Sequence, residues 1–407
     1  MRYRKGDDSM RRALFPFCLT ALLLTGCSNP YQQTKTSEKE QYASHSVSVI
    51  ALSDAAKKSG SQFSVEDVRL LQSFLLTKPT AADLSGKPYD LDDNSVWNTV
   101  DLTLMLRVIL GDALSDDLPV VFMTKDISPE GLMNAYLAMG WEPQGKTAVK
   151  LSTGEPPASN YLRPALIKDV VEHVNGTIVE CNTAYGGKRT ETQMHYQVAK
   201  DHGFTDIANV QILDENGSMS IPIQGGSVLK QDYVGKAFAD YDSYLVLSHF
   251  KGHAMAGYGG AIKNISIGFG SSEGKCYIHT GGKSRTSMWG GNQTAFTESM
   301  AEAGKGVCDY LDGGKKIAFV NVMNRLSVDC DCDGNPAEPE MADIGILSSL
   351  DPVALDQACI DLVYEQKNGD GKSLVQRIES KQGLHTLEHA AEIGLGSREY
   401  QLVMLDE

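Results

Sequence analysis

Apolar runs of strand length alternate with helical patterns from residue 118 onward. The strand-length runs lie at 119–123, 147–151, 177–181, 244–247, 316–322 and 344–347. The helical patterns lie at 128–140, 163–174, 190–202 and 351–364. This alternation predicts an α/β domain over residues 114–407, with a mostly parallel sheet and helices on both faces.

The stretch 248–270, which reads SHFKGHAMAGYGGAIKNISIGFG, carries most of the candidate chemistry. It follows a buried strand, and ligands of such sheets gather at the carboxyl ends of the strands. Glycine at this density lets a backbone approach a ligand closely, and the histidines and lysines supply acid/base and anion-binding groups. We therefore predict His249 and His253 as catalytic, and Gly257, Gly259, Gly260 and Lys263 as binding the ligand or cofactor.

Cys330 and Cys332 follow the strand predicted at 316–322, on the same side of the sheet. Two thiolates in a CxC spacing can hold a soft or borderline metal, and we predict them as metal ligands. The sequence Asp-Gly-Asn-Pro directly afterwards is equally typical of a turn. The two cysteines are too close in sequence for an easy mutual disulfide.

The N-terminus has the pattern of an exported lipoprotein. Residues 1–26 have a basic start and an apolar core too short to span a bilayer, and Leu-Thr-Gly precedes Cys27, the predicted lipidation site. Residues 27–45 are polar and predict a flexible tether. We expect a lipid-anchored protein on the extracytoplasmic face of the cell membrane. The net charge of −15 argues against nucleic acid as a partner.

Residues 46–113 predict a small helical module with one calcium loop. Oxygen ligands fall at the spacing of a calcium-binding loop: Asp90, Asp92, Asn94, Val96 through its carbonyl, Asn98 and Asp101. The loop and the leucine-rich helix after it resemble the second repeat of a dockerin, which implies a cohesin-like partner. Ser95 stands where such loops usually have glycine, and the alternative is a solvated acidic turn between two helices.

Several separated motifs resemble the family called domain of unknown function 362. They are SHFKGHAMAGYGGAIKN, GKCYIH, VDCDCDG and ADIGILSSLDPVALDQACIDL, and they cover roughly residues 118–403. Many members are described as iron–sulfur centre proteins with a ferredoxin insert. The interval 280–308 contains no CxxC here, so a ferredoxin-type cluster is not expected.

A more distant similarity links residues 253–263 to the nickel-pincer enzyme lactate racemase. It implies His253 as an acid/base, Lys263 as the tether of the pincer cofactor and His279 as a nickel ligand. It also implies Arg163 and Asn160 as substrate-binding, although the family has aspartate where this chain has Asn160. Lys188 falls where the family has its second acid/base histidine, which puts racemisation in doubt.

Three functions remain open at this stage. The first is a metal- or cofactor-dependent enzyme, a racemase-like or oxidoreductase activity on a small hydroxy acid. The second is a metal or redox protein that uses Cys330 and Cys332 without turnover. The third is a cell-surface scaffold component in which the calcium module binds a partner.

Overall fold

The computed structural model describes residues 47–51, 63–77, 89–91, 97, 99–111, 114–115, 117–367 and 369–406. Residues 46–407 form one compact unit. The segments predicted as signal peptide and tether, with Cys27, lie outside the described residues.

Nine strands form the central sheet. They are β1 (Val47–Ala51), β2 (Val120–Thr124), β3 (Thr147–Lys150), β4 (Thr177–Glu180), β5 (Val210–Ile212), β8 (Ser243–His249), β11 (Ile317–Met323), β12 (Gly345–Ser349) and β13 (Tyr400–Met404). Two small antiparallel ribbons pair β6 (Ser218–Pro222) with β7 (Gln231–Gly235), and β9 (Lys251–His253) with β10 (Gly257–Gly259). The ribbon of β9 and β10 directly follows the central strand β8 and belongs to the glycine-rich stretch.

The order of the central sheet is β1-β13-β2-β12-β11-β8-β3-β4-β5. Every neighbouring pair is parallel except those of β12, which runs antiparallel to both β2 and β11. The carboxyl ends of β3, β4, β8 and β11 therefore meet at one edge. The predicted mostly parallel α/β sheet is confirmed.

Eleven α-helices are present among the described residues. They are α1 (Val65–Thr77), α2 (Thr99–Leu110), α3 (Pro129–Ala138), α4 (Pro164–His173), α5 (Thr192–Asp201), α6 (Ala261–Ser266), α7 (Ser272–His279), α8 (Gln293–Tyr310), α9 (Pro352–Tyr364), α10 (Lys372–Ser380) and α11 (Gly383–Glu392). Helix α9 begins with proline behind Asp351, whose carboxylate accepts the free N–H groups of the first turn. Within the described part of the chain, no helix has the length and apolar character needed to cross a bilayer.

Helices cover both faces of the sheet. Successive side chains of a strand point to opposite faces of the sheet, so consecutive residues of β11 contact the helices on opposite faces. Val320 and Val322 pack in one cluster with residues of α3 and α4. Between them, Asn321 donates from Nδ2 to the Asp356 carboxylate of α9 at 2.7 Å. The polar contact of Asn321 shows that α9 lies against the second face.

The described parts of segment 46–113 pack against the α/β domain. Strand β1 pairs in parallel with β13 and extends the edge of the central sheet. Apolar residues of α1 and α2, such as Leu71 and Met105, are buried in the same cluster as Tyr136 of α3. The reason is hydrophobic burial: two short amphipathic helices hide more apolar surface against a large core than against each other.

Candidate functional site

A cavity of about 300 Å³ opens at the carboxyl edge of the sheet, where the sequence places the site. Its polar lining comes from the ends of β3, β4 and β8, the β9–β10 ribbon, helices α6 and α7, and the loop after β11. The chemically active lining residues are Lys150, Glu180, Tyr185, Arg189, His249, Lys251, His253, Lys263, Lys275, His279, Cys330, Asp331 and Cys332. Eight of the predicted site residues, including Gly259 and Gly260, lie together in this wall.

Glycines of the ribbon allow the backbone to close tightly around the cavity. Gly257 has φ of +84°, a left-handed conformation that a side chain would strain. A Cβ on Gly260 would lie 2.3 Å from Oδ1 of Asp356. That carboxylate accepts the N–H groups of Ala261 and Ile262 and so fixes the start of α6. Gly259 faces the cavity lysines, the nearest atom to its missing Cβ being Cδ of Lys263 at 3.5 Å.

His253 is a neutral hydrogen-bond donor toward the cavity. Its Nδ1 accepts the backbone N–H groups of Met255 at 3.2 Å and Ala256 at 2.9 Å. Burial, followed by the charges of Lys263 and other neighbours, holds the pKa of His253 well below its usual range. A neutral ring that accepts at Nδ1 carries its proton on Nε2. In this arrangement the ring presents a hydrogen-bond donor to the cavity, and the acid/base role expected of His253 stays a prediction.

His279 has the opposite tautomer. It is buried, it stacks on Phe296, and its Nδ1 donates to the carbonyl oxygen of Lys275 at 2.7 Å. Burial lowers the pKa of His279 to about 4, so the ring is neutral at physiological pH. Its Nε2 consequently keeps a free lone pair, which suits either a proton acceptor or a metal ligand.

His249 is a structural link and not a free acid/base group. Its Nδ1 lies 2.8 Å from Asp331 Oδ1, and its Nε2 lies 2.6 Å from the carbonyl oxygen of Asn324. Lys251 Nζ lies 2.9 Å from the other Asp331 oxygen. Burial alone would raise the pKa of Asp331, but His249 and Lys251 outweigh it and hold the pKa below its usual range. The predicted catalytic role of His249 is not supported, because both its nitrogens face acceptors.

Lysine ammonium groups give the cavity a positive potential. Burial, with further contributions from neighbouring lysines, lowers the pKa of Lys263 to about 7. In the described part of the chain Lys263 Nζ makes no hydrogen bond or ion pair. Lys150 Nζ donates to the Leu151 carbonyl and to Asn264 Oδ1, both at 2.8 Å, and burial lowers its pKa to about 8. Lys275 Nζ donates to the Gly270 carbonyl at 2.6 Å.

A buried ionic network that the sequence analysis missed forms the wall beside β4. The Arg189 guanidinium binds Glu155 and Glu180, each at 3.1 Å, and donates to Tyr185 Oη at 2.8 Å. Burial opposes ionisation of Glu180, but Arg189 and His195 hold its pKa well below the usual range. The sequence Gly-Gly-Lys-Arg after β4 could have indicated a basic group at this wall. Its second basic residue, Arg189, points inward, and its first, Lys188, does not.

Four predicted residues lie outside the cavity lining: Gly257, Lys188, Arg163 and Asn160. Lys188 is exposed, and only its backbone N–H, which donates to Glu155, is tied to the network. Arg163 stacks over the ring of Tyr161 at 3.9 Å and precedes α4, and Asn160 lies in the same loop. A substrate carboxylate in the cavity would therefore meet lysines in place of Arg163.

Cys330 and Cys332 form a disulfide, contrary to the prediction that they are too close to pair. Their Cα atoms lie 5.2 Å apart, because the turn folds back between them. His253, Cys330 and Cys332 offer three candidate metal-ligand atoms within 4.8 Å of one another. His279, the predicted nickel ligand, is not part of that group.

The predicted calcium loop is only partly described. Asp92, Asn94, Val96 and Asn98 lie outside the described residues. Asp101 is fully buried and accepts the backbone N–H of Leu91 at 2.6 Å. Asp90 is partly buried.

A family model described as "Domain of unknown function (DUF362)" matches residues 147–361, more than half of the chain. The chain belongs to this family. The match spans β3 to α9 and includes the whole glycine-rich ribbon and the cavity lysines, so the cavity lies inside the family's shared region. No curated protein matches the sequence.

Among solved structures, the fold is similar to that of the lactate racemase apoprotein from Thermoanaerobacterium thermosaccharolyticum. The sequence identity is 13%, the TM-score is 0.36, and the similarity covers 62% of this chain and 59% of that protein. The chain thus matches about three fifths of the racemase's length. A similarity of this size carries no argument about activity.

Proposed function

We propose that this DUF362 protein is an enzyme that binds a small organic carboxylate in the cavity and transfers a proton to or from it. The observation that carries the proposal is the pair of neutral histidines with opposite tautomers. His253 presents an N–H to the cavity, and His279 presents a lone pair. A proton acceptor, together with a hydrogen-bond donor for the negative charge that develops, is the minimum requirement for proton abstraction.

The lysines support an anionic substrate. Lys251 is neutralised by Asp331 and Arg189 by its glutamates, which leaves Lys150, Lys263 and Lys275 without a carboxylate partner among the described residues. The chain as a whole has a net charge of −15, so this positive cavity is a local feature that selects its ligand by charge. The volume of about 300 Å³ suits a small metabolite.

The residues then have distinct roles. Lysine ammonium groups bind and orient the carboxylate, and a bound carboxylate would favour the charged form of Lys263, whose pKa burial lowers to about 7. His279 accepts at Nε2 the proton of the substrate carbon next to the carboxylate, the C–H electron pair moves onto the carboxylate oxygen, and the proton or a solvent deuteron then returns to that carbon. The Lys275 carbonyl stabilises the intervening imidazolium through Nδ1–H. His253 donates a hydrogen bond from Nε2–H to the substrate oxygen on which negative charge develops.

The residues present also fit a tethered nickel-pincer cofactor in two respects. Lys263 offers an amine without a hydrogen-bonding partner, and His279 offers an Nε2 lone pair for a metal, with its Nδ1–H oriented by a carbonyl. Such a cofactor would supply a hydride acceptor when bound. With His279 on a metal, the proton acceptor would have to be a different group, so the two assignments of His279 are distinguishable.

The experiment is an NMR screen of small 2-hydroxy acids in D₂O with the full chain, alongside elemental analysis of protein from its native host. We expect turnover that falls at least ~100-fold in His279→Gln, while His385→Gln, a partly exposed histidine outside the cavity, leaves it unchanged. Nickel near one per chain and a mass increment on the Lys263 peptide would assign His279 to the metal. Loss of neither binding nor turnover in His279→Gln would refute the proposal.

Ligand binding has an independent reporter. Trp289 lines the cavity and is 69% exposed, so its fluorescence should respond to a carboxylate entering beside it. The response should saturate with the bound carboxylate and disappear in Trp289→Phe. A titration with a neutral amide of the same acid is the matched control and should produce no saturable change.

We also propose that the protein is anchored outside the cytoplasm by lipid on Cys27 and that the loop at 90–101 binds calcium. The sequence pattern supports both. Mass spectrometry of the mature N-terminal peptide tests the first, with Cys27→Ala as control. Calcium titration followed by thermal unfolding tests the second, with Asp92→Asn as the variant that should abolish any stabilisation.

A further inference from the structure

The Cys330–Cys332 disulfide lies in the cavity wall with its two sulfurs in different surroundings. Cys332 is partly exposed, whereas Cys330 is only 6% exposed. The backbone N–H of Cys332 donates to Sγ of Cys330 at 3.2 Å. Cys332 is therefore the sulfur that a nucleophile can reach. Cys330 already accepts a backbone hydrogen bond, which would stabilise it as a thiolate after the bridge opens.

The turn that carries the two cysteines is held by contacts that do not involve the bridge. The Asp331 carbonyl accepts the N–H of Glu155 at 2.8 Å, and the Asp331 carboxylate is bound by His249 and Lys251. Asp333 N–H donates to the Cys330 carbonyl at 2.9 Å. Opening the disulfide consequently leaves the loop in place, which a reversible redox centre requires.

One ring nitrogen of His253 lies within 4.8 Å of both sulfurs, near enough for a small movement to bring a ring N–H to a thiolate. A metal ligand must present a lone pair, but Nδ1 of His253 is occupied by two backbone N–H groups and Nε2 carries the proton. An Nε2–H group instead stabilises a thiolate by a charge-assisted hydrogen bond. The tautomer of His253 thus favours sulfur redox chemistry over metal binding at this cluster.

We propose that the Cys330–Cys332 bridge is a thiol–disulfide exchange site for small anionic thiols that enter the cavity. The thiolate of the ligand attacks Sγ of Cys332, the Cys330–Cys332 bond breaks, and Cys330 leaves as a thiolate held by the Cys332 N–H and His253. A second ligand thiolate attacks the ligand sulfur of the mixed disulfide and releases the ligand's own disulfide. Two thiols are oxidised, the bridge gains two electrons, and two protons leave the ligand thiols and are available to the cysteines.

Charge selection follows from the same lysines that bind the carboxylate. Thiolates and carboxylates are both attracted by Lys150, Lys263 and Lys275, so a thiol that also carries a carboxylate should be concentrated at the bridge. This preference for anions rests on the proposed function, whereas the exchange reaction itself does not.

The test uses the full chain with three thiols of different charge: mercaptoacetate, mercaptoethanol and cysteamine. Reduction is followed by alkylation of the folded protein and mass analysis of the peptide that carries Cys330 and Cys332. Rates are compared per thiolate, and we expect mercaptoacetate to be at least ~10-fold faster than mercaptoethanol, with cysteamine slowest. Lys263→Gln should reduce this ratio, and His253→Leu should slow all three thiols. Cys276→Ser, in a cysteine that forms no disulfide, should change nothing.

Single-cysteine variants test the direction of attack. With an added small disulfide, Cys330→Ser should form a mixed disulfide at Cys332 faster than Cys332→Ser forms one at Cys330. A bridge that resists all three thiols in the folded protein would overturn the exchange site, as would a metal bound to both sulfurs. Reduction at equal rates by all three thiols, together with no carboxylate binding by Trp289 fluorescence, would instead overturn the proposed function and leave the exchange chemistry standing.

Discussion

Replacing Lys263 by methionine should stabilise the fold, because the wild-type cavity holds an ammonium group at a cost. The pKa of this lysine is lowered from 10.5 to about 7, chiefly by burial. At 1.36 kcal/mol per pKa unit, that difference corresponds to about 5 kcal/mol against folding when the lysine is charged in both the folded and the unfolded chain. Lys263 is partly exposed, and solvent therefore screens part of this cost, so we expect Lys263→Met to gain about 2 to 5 kcal/mol at pH 6.

The gain should depend on pH in a defined direction. Below pH 7 the lysine is protonated in both states, and the folded protein bears the full cost. Between pH 7 and 10.5 the folded state has lost the proton that the unfolded state still binds, so wild-type stability rises with pH. At pH 9 no more than about 2 kcal/mol of the advantage should remain, and it should vanish near pH 10.5.

Urea unfolding of the full chain at pH 6 and pH 9 measures both quantities. Lys283→Met, at an exposed position, is the matched control for the change of a lysine to methionine and should show no pH-dependent gain. An advantage for Lys263→Met that is equal at the two pH values, or a loss of stability at pH 6, would refute the reasoning. A stabilised but inactive variant would show that this lysine is kept for function at the expense of stability.

Three further predictions concern the cavity wall. Asp331→Asn should cost about 3 to 5 kcal/mol in urea unfolding, because it leaves the buried Lys251 ammonium without its carboxylate and weakens the hydrogen bond to His249, while Asp333→Asn at the surface should stay within ~0.5 kcal/mol. Arg189→Ala should destabilise by more than ~3 kcal/mol and Lys188→Ala by less than ~0.5 kcal/mol, and the reverse order would contradict the inward orientation of the second basic residue. Gly259→Ala should fold normally, since its Cβ would meet nothing closer than 3.5 Å, yet weaken carboxylate binding in the fluorescence titration; undiminished affinity would show that this face does not contact the ligand.

Regular elements with strong local patterns were predictable from sequence. The strand expected at 177–181 is Thr177–Glu180, and the helix expected at 351–364 is Pro352–Tyr364. In both, a continuous apolar run or a proline-led start fixes the element without reference to the rest of the chain.

Elements that depend on distant partners were not predictable. Strand β13 is placed between β1 and β2, and nothing local to 400–404 indicates those neighbours. The reversed direction of β12 likewise depends on the loop that precedes it, since its apolar pattern is the same in either direction. The packing of α1 and α2 against the core was unpredictable for the same reason. The amphipathic pattern of a helix shows which face is buried but not which element covers that face.

In the candidate site, too, local features were predictable from the sequence, and contacts with distant residues were not. The glycine-rich stretch after β8 predicted that His253 and Lys263 lie at one site, and the resemblance to lactate racemase implied His279 beside them. They did not reveal that Lys188 points outward while Arg189 points inward, because adjacent residues in a turn can exchange these orientations at little cost. Burial of the guanidinium is decided by Glu155 and Glu180, which come from other strands and loops.

The roles of His253 and His279 depend on backbone groups, and this gives a decisive substitution. His253 faces two N–H donors and His279 faces a carbonyl, so identical side chains present opposite ends of a hydrogen bond to the cavity. Glutamine can place an N–H near the Nε2 position but cannot accept and release a proton at physiological pH. His253→Gln should therefore retain turnover within ~10-fold, whereas His253→Leu and His279→Gln should each lose at least ~100-fold. Equal losses in the two His253 variants would mean that its ring also takes up a proton during the reaction, and the assignment of His253 as a hydrogen-bond donor would be refuted.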